Sequence, residues 1–323
     1  MKNKTLMREK NLTATGILIL FMVILFTSEY FWISHLIEER SFLRMQEGVE
    51  TVIEEISQKM NRDSRILNAT ANILANADNF DLGTMQRTMT TVSPMLETMY
   101  MEILLPDDTI IATDGSFLPN RGEISFAKEM PLGEHVSNRN VSLLDGNTYV
   151  LRHYVPIVKD GETVAMLFGV TNLSKLPSVL NIDHIYNARA NVYIIDTENG
   201  DYIMDTWREQ LVNLKDLTDV ETRDGSDWLE KMQELMQLKS GHVEYRSLST
   251  GKWDHLYYAP ANINRWAIAV SVPEEEAFAN VFAIRRVCLI IGSLAGIVVI
   301  LYYLWMRKNA IDAINKAVET AVL

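Results

Sequence analysis

The sequence YVLRHYVPIVKDGETVAMLFGVTNLSKLP, residues 149–177, reads as two strands joined by a tight turn. Residues 149–158 are rich in Val, Tyr, Leu and Ile, and residues 163–170 mix β-branched, aromatic and small side chains. Between them Asp160-Gly161 supplies the positive φ angles that a hairpin turn needs. Both strands are apolar on both faces, which predicts a sheet covered on each side. The polar exceptions are Arg152, His153 and Tyr154 in the first strand and Asn172 just after the second. Alternation puts Arg152 and Tyr154 on one face and His153 on the other. Arginine presents a planar fork of donors suited to a carboxylate. The competing reading is an edge arginine with its head in water. Tyr100, Glu102 and Asp114, around the neighbouring strands, would complete a polar ring beside Arg152, with ordinary structural roles as the alternative.

Outward from the hairpin the same pattern occurs twice. Ahead of it stand a helix over 82–92, strands over 100–105 and 109–113, a helical turn over 126–130 and a strand over 135–144. After it come strands over 191–196 and 202–204, an amphipathic helix over 228–238, and strands over 242–247, 253–259 and 266–272. Residues 33–76 hold no proline and one glycine, Gly48. Leu36, Leu43, Val49, Val52, Ile53, Ile56, Met60, Ile66, Leu67, Ile73 and Leu74 recur there at mainly three, four and seven. That stripe predicts one long helix, packed along its own domain, along a second copy of itself, or both.

Residues 11–28 and 287–306 carry no charge, and each run suits a membrane-crossing helix. The first is too long for the core of a signal peptide, and no Ala-x-Ala-like site follows it. Lys2, Lys4, Arg8 and Lys10 before it, and Arg307, Lys308 and Lys316 after the second, place both termini in the cytoplasm. The net charge is −12, and the region between the two runs carries the negative excess. An acidic external region argues against nucleic acid and anionic lipid surfaces as partners. The one cysteine, Cys288, lies in the second run, so the external region has no disulfide, in keeping with a bacterial surface.

In combination these features resemble the double Cache sensor domain of bacterial receptors, over nearly all of residues 31–282. Phe168-Gly169-Val170-Thr171-Asn172-Leu173 with Leu176-Pro177 resembles that family's strand-end pattern YGVIDLxxLP. Residues 257–260 and 266–273 resemble the last hairpin of its membrane-proximal unit. The resemblance implies an α+β fold, a long N-terminal helix with two PAS-like antiparallel sheets, flanked by two transmembrane helices. Its parts would be a cytoplasmic tail (1–11), a first transmembrane helix (12–33), an external sensor (34–284), a second transmembrane helix (287–306) and a connecting helix (307–323). Within the sensor, 34–97 is the helical lead-in, 98–177 the membrane-distal unit and 189–273 the membrane-proximal unit. The resemblance also implies that the distal unit binds a small solute, a carboxylate or amino-acid-like molecule. Arg152, Tyr154, Tyr100, Asn172, Asp114 and Glu102 are the candidate contacts.

The sequence departs from the family in two places. Amino-acid-binding members carry an Arg-x-Trp-Tyr-type motif, whereas residues 120–141 offer only Arg121 and Arg139. The strand-end aspartate that often receives an amine is Asn172 here. Both departures count against an α-amino acid ligand.

No Gly-rich phosphate loop, nucleophile elbow or paired-carboxylate motif occurs, so no enzymatic activity is expected. His184, His242 and His255 are scattered, with no pair at metal-ligand spacing on one element, so neither metal nor cofactor is expected. The expected protein is a bacterial inner-membrane receptor, homodimeric through the long helix. It would relay binding to a diguanylate cyclase or histidine kinase type of output domain. A ligand-free dimerisation or protein-contact module is the alternative.

Overall fold

The computed structural model describes the backbone of residues 2–322 except 97–98, 121, 183–184, 208–210 and 219, and most side chains from 16 to 312. The chain divides into two compact units, residues 1–43 with 278–323, and residues 44–277. The second unit holds both sheets. It starts within helix α1 (Lys2–Ala75) and continues through α2 (Leu82–Val92), which Asp81 caps by accepting from Thr84 N at 2.8 Å.

The first sheet contains β1 (Met99–Leu104), β2 (Ile110–Ala112), β3 (Phe117–Leu118), β4 (His135–Val136), β5 (Asn140–Val141), β6 (Tyr149–Lys159) and β7 (Glu162–Asn172), with α3 (Phe126–Glu129) between β3 and β4. Its order is β3-β2-β1-β7-β6-β4, with β5 also paired to β6. The second sheet contains β8 (Asn191–Asp196), β9 (Tyr202–Asp205), β10 (Gly241–Arg246), β11 (Trp253–Pro260) and β12 (Trp266–Pro273), in the order β10-β11-β12-β8-β9, with α4 (Trp228–Met236) between β9 and β10. Every pairing is antiparallel. The expected α+β pattern of a long helix and two sheets is present.

The β6–β7 hairpin closes on Asp160 (φ 53°) and Gly161 (φ 87°), the doubly positive turn that matches strand twist. Parity then divides the first sheet. Met101, Ile103, Val155, Ile157, Ala165 and Leu167 face Leu67, Ala71 and Leu74 of α1 and Met85 and Met89 of α2. Leu104, Ile110, Val150, Tyr154, Met166, Phe168 and Val170 face the other way, against Ile124 and Phe126. A Cβ at Gly169 would come within 2.0 Å of Met99 Sδ, so any larger residue there requires the Met99 side chain to move. A third core joins Trp228, Met232 and Leu235 of α4 to Tyr202, Val243, Leu256, Tyr258, Ala267 and Ala269 of the second sheet.

The long stripe splits. Met45, Val49, Val52, Ile56, Met60, Leu67, Ala71 and Leu74 are buried, so α1 packs along its own domain. Leu36, Leu43 and Ile73, which belong to the same sequence stripe, are exposed. The predicted strand over 135–144 is a correction. It is broken into β4 and β5, which pair with β6 at offset registers, so residues 137–139 stand opposite only Leu151 and Arg152. This bulge turns Arg139 toward the second sheet, where it donates to Asp201 Oδ1 (2.5 Å), Tyr202 O (3.0 Å) and Val212 O (3.2 Å).

The acidic run after β12 forms α5 (Glu274–Ala277). Each glutamate is tied to a different element. Glu274 accepts from Arg223 (2.8 and 3.0 Å), Glu275 from Lys252 (3.1 and 3.2 Å) and Glu276 from Arg189. Then comes α6 (Ala279–Val322). Among the described residues one stretch, Phe282–Asn309, is long and apolar enough to cross a membrane, and Leu20–Ile33 is a shorter apolar stretch.

One buried ion pair lies on the domain-facing side of α1. Lys59 Nζ and Asp63 Oδ2 are 2.5 Å apart, with about 5% of either side chain exposed. Asp63→Ala strands a buried ammonium and should cost about 3–5 kcal/mol, whereas Lys59→Met with Asp63→Leu should stay near the parent. Denaturation midpoints of the two variants check this, and equal losses in both would remove the pair from the argument.

Candidate ligand-binding site

Three adjacent strands place four of the six candidate residues on one face of the first sheet. Glu102 of β1 and Tyr154 of β6 both pair with Phe168 of β7, one from each side. One row along, Tyr100 and Arg152 both pair with Val170. These residues alternate away from α1, as the strand period requires.

The electrostatics of this face are unusual. Arg152 is 2% exposed, and its Nη2 donates to Val141 O at 2.8 Å while its Nε has no partner. Glu102 is 1% exposed, and neither carboxylate oxygen has a hydrogen bond. Burial pushes the Glu102 carboxyl up to about 7, against the pull of the Arg152 charge. The two side chains therefore feel each other across β7 without forming an ion pair. Tyr154, also buried, is held between the His135 ring (4.8 Å, stacked) and Phe168 (4.9 Å), and burial raises its hydroxyl pKa. The Tyr100 hydroxyl lies 3.3 Å from Ser142 Oγ and is likewise raised by burial.

The other two candidates serve the backbone. Asn172 Oδ1 accepts from Ser174 N (2.9 Å) and Ser174 Oγ (2.7 Å), capping the short 3-10 turn Leu173–Val179. Asp114 is exposed in the β2–β3 turn, where its carboxylate accepts from Ser116 N (2.9 Å) and its carbonyl from Gln86 of α2 (2.7 Å). His153 faces α1, with Nε2 3.2 Å from Glu134 Oε1. Arg139 is committed to the second sheet, and Arg121 and His184 lie outside the described residues.

Sequence reasoning missed the segment that covers the site. Ser137 Oγ accepts from Arg152 N (3.0 Å), Val141 supplies the carbonyl for the guanidinium, and Ser142 meets Tyr100. The one available signal was the polar run Ser137-Asn138-Arg139-Asn140, too hydrophilic for a buried strand.

No protein-family model and no curated protein matches the chain. Solved structures do. An extracellular domain assigned to a histidine kinase, rpHK1S-Z16, matches with a TM-score of 0.56 at 12% identity, over 74% of this chain and 97% of that one. The ligand-binding domain of the Pseudomonas aeruginosa PAO1 amino acid chemoreceptor PctB, in complex with L-Arg, gives 0.53 at 14% identity, over 75% and 97%. The ligand-binding domain of Mlp24 with asparagine gives 0.51 at 15% identity, over 76% and 98%. The fold is that of these extracellular sensor domains, the double Cache architecture read from the sequence.

Glu102 has a sign-definite effect on stability. Its pKa in the fold lies above the ordinary 4.5, so the native state holds the proton more tightly than the unfolded chain. Stability should therefore fall as pH rises from about 4.5 to about 7 and then level off, by up to about 3 kcal/mol. Glu102→Gln should remove this component and melt higher than the parent at pH 8. Parallel melting curves for the two proteins between pH 5 and 8 would contradict the shift.

Proposed function

We propose that the chain is the sensor portion of a bacterial membrane receptor and not an enzyme, and that its first sheet binds a small zwitterionic solute of the amino acid type. One observation carries the reading. Glu102 and Arg152 are buried opposite charges on one sheet face, each with unpartnered polar atoms, and separated by a strand's width. Isolated buried charges are costly unless compensated. A molecule with an ammonium at one end and a carboxylate at the other would compensate both. Arg152 would take the carboxylate in its fork, Glu102 the ammonium, and Tyr100 and Tyr154 would lie beside them. Glu102 thereby supplies the carboxylate that Asn172 does not. The amino acids named with PctB and Mlp24 support the class.

In this reading residues 12–33 and 287–306 both cross the membrane, with both termini cytoplasmic. The exposed positions of the α1 stripe form a homodimer contact, and α6 passes the change to a cytoplasmic output domain of the diguanylate cyclase or histidine kinase type. The ligand acts only by binding one receptor state better than another.

Calorimetric titration of the purified chain with single amino acids and small carboxylates tests the site. Arg152→Ala and Arg152→Lys should weaken binding about 30-fold or more. Trp253→Phe, in the second sheet, should leave it unchanged. Affinity for an amine-bearing ligand should fall about tenfold per pH unit below 7, because protonation of Glu102 removes its charge. Unaltered binding in both Arg152 variants, or no ligand at all, would leave a dimerisation or contact module as the reading.

Topology has its own test. A reporter fused after Leu323 should be active only in the cytoplasm, and activity on the outer side would overturn the two-pass arrangement.

A further inference from the structure

The second sheet brings together residues that lie apart in sequence. Glu244 of β10 pairs directly with His255 of β11, and His242 sits two residues along β10 on the same face. His242 Nε2 is 3.3 Å from His255 Nδ1, and Glu244 Oε1 is 4.0 Å from that same nitrogen. One ligand atom from each of the three residues lies within 4.8 Å of the others. Two imidazole nitrogens on a tetrahedral zinc ion, each about 2.0–2.1 Å from it, stand about 3.3 Å apart. The spacing of the two rings thus matches one edge of a zinc tetrahedron.

The surroundings fit the same chemistry. His255 is buried, whereas His242 and Glu244 are half-buried, so an ion can enter from one side. Glu244 Oε2 forms an ion pair with Arg223 Nη1 at 2.7 Å, while Oε1 is the oxygen that lies toward His255. Arg223 is itself fixed by Glu274 and by the Trp253 ring, 4.7 Å away. With Glu244 and Glu274 set against Arg223 alone, the cluster has a negative excess that attracts a dication.

We propose that His242, Glu244 and His255 form a site for a divalent cation of the zinc class in the second sheet, clamping β10 to β11. Two nitrogens and one oxygen suit zinc, cobalt or nickel rather than calcium or magnesium, which favour all-oxygen sets. Three protein donors leave the fourth position to water.

The full chain tests this, purified in detergent without a polyhistidine tag, stripped with EDTA and dialysed. Titration with zinc chloride should show one equivalent bound at micromolar concentration or tighter. Cobalt chloride should give the visible absorption bands of tetrahedral Co(II). His242→Ala, at a half-exposed position, should abolish both signals while melting like the parent in EDTA. His255→Ala should abolish them too, and Arg223→Gln should weaken zinc 10–100-fold. Absence of zinc binding by the parent at 10 µM, or binding that survives His242→Ala, would overturn the site.

Discussion

The register of the β6–β7 hairpin is the constraint on which the first sheet depends. Side chains on a strand alternate, so a slip of one residue would exchange every inward and outward position. The two-residue turn at Asp160-Gly161 sets the pairing at its own end, and a bulge between Ile157 and Val158 then shifts it by one residue, so turn and bulge together fix the register. It fixes Leu167 and Val155 against α1, and by the same parity sends Arg152 and Tyr154 to the opposite face. The core that stabilises the sheet and the charges that mark its candidate site are therefore two outcomes of one geometric choice. Gly169 leaves room for the Met99 side chain in its present position, which a Cβ there would displace.

What was legible in the sequence follows from which interactions are local. The hairpin, α2, β8 and β12 came from alternation, helical period and turn residues, all of which act within a few positions. The shared face of Arg152 and Tyr154 was also legible, because parity within a strand is local, whereas its extension to Tyr100 and Glu102 depends on the register of β1 against β7. The break between β4 and β5 was not, since Arg139 within it is bonded to Asp201, far along the chain. The turn-capping bonds of Asn172 and Asp114 have a local signal of their own. Each is an Asx residue followed two positions later by serine, a pattern that caps a turn by itself. The meeting of His242 with His255 needed a cross-strand register that no spacing rule on one element supplies.

The bulge at residues 137–139 is one of the places where the regions of the two sheets meet. Val141 holds the Arg152 guanidinium, and Arg139, two residues earlier, is bonded to Asp201 and to the carbonyls of Tyr202 and Val212 at the second sheet. Arg139 also lies over the Tyr149 ring at 4.5 Å, at the start of the strand that carries Arg152. One irregular segment of chain thus bonds to the candidate site through Val141 and, two residues earlier, reaches the second sheet through the hydrogen bonds of Arg139.

The three glutamates of α5 hold the exit of the second sheet in a different manner. Glu274, Glu275 and Glu276 are consecutive, yet their partners Arg223, Lys252 and Arg189 come from three separate places in the fold. A load on this segment is shared by tethers in parallel, so losing any one leaves the other two in place. All three tethers are partly open to solvent, and screening acts on such pairs together. The arrangement is redundant against single substitutions and vulnerable to a common cause. A rise in ionic strength loosens every tether at once, and with them the anchorage of the segment from which α6 departs.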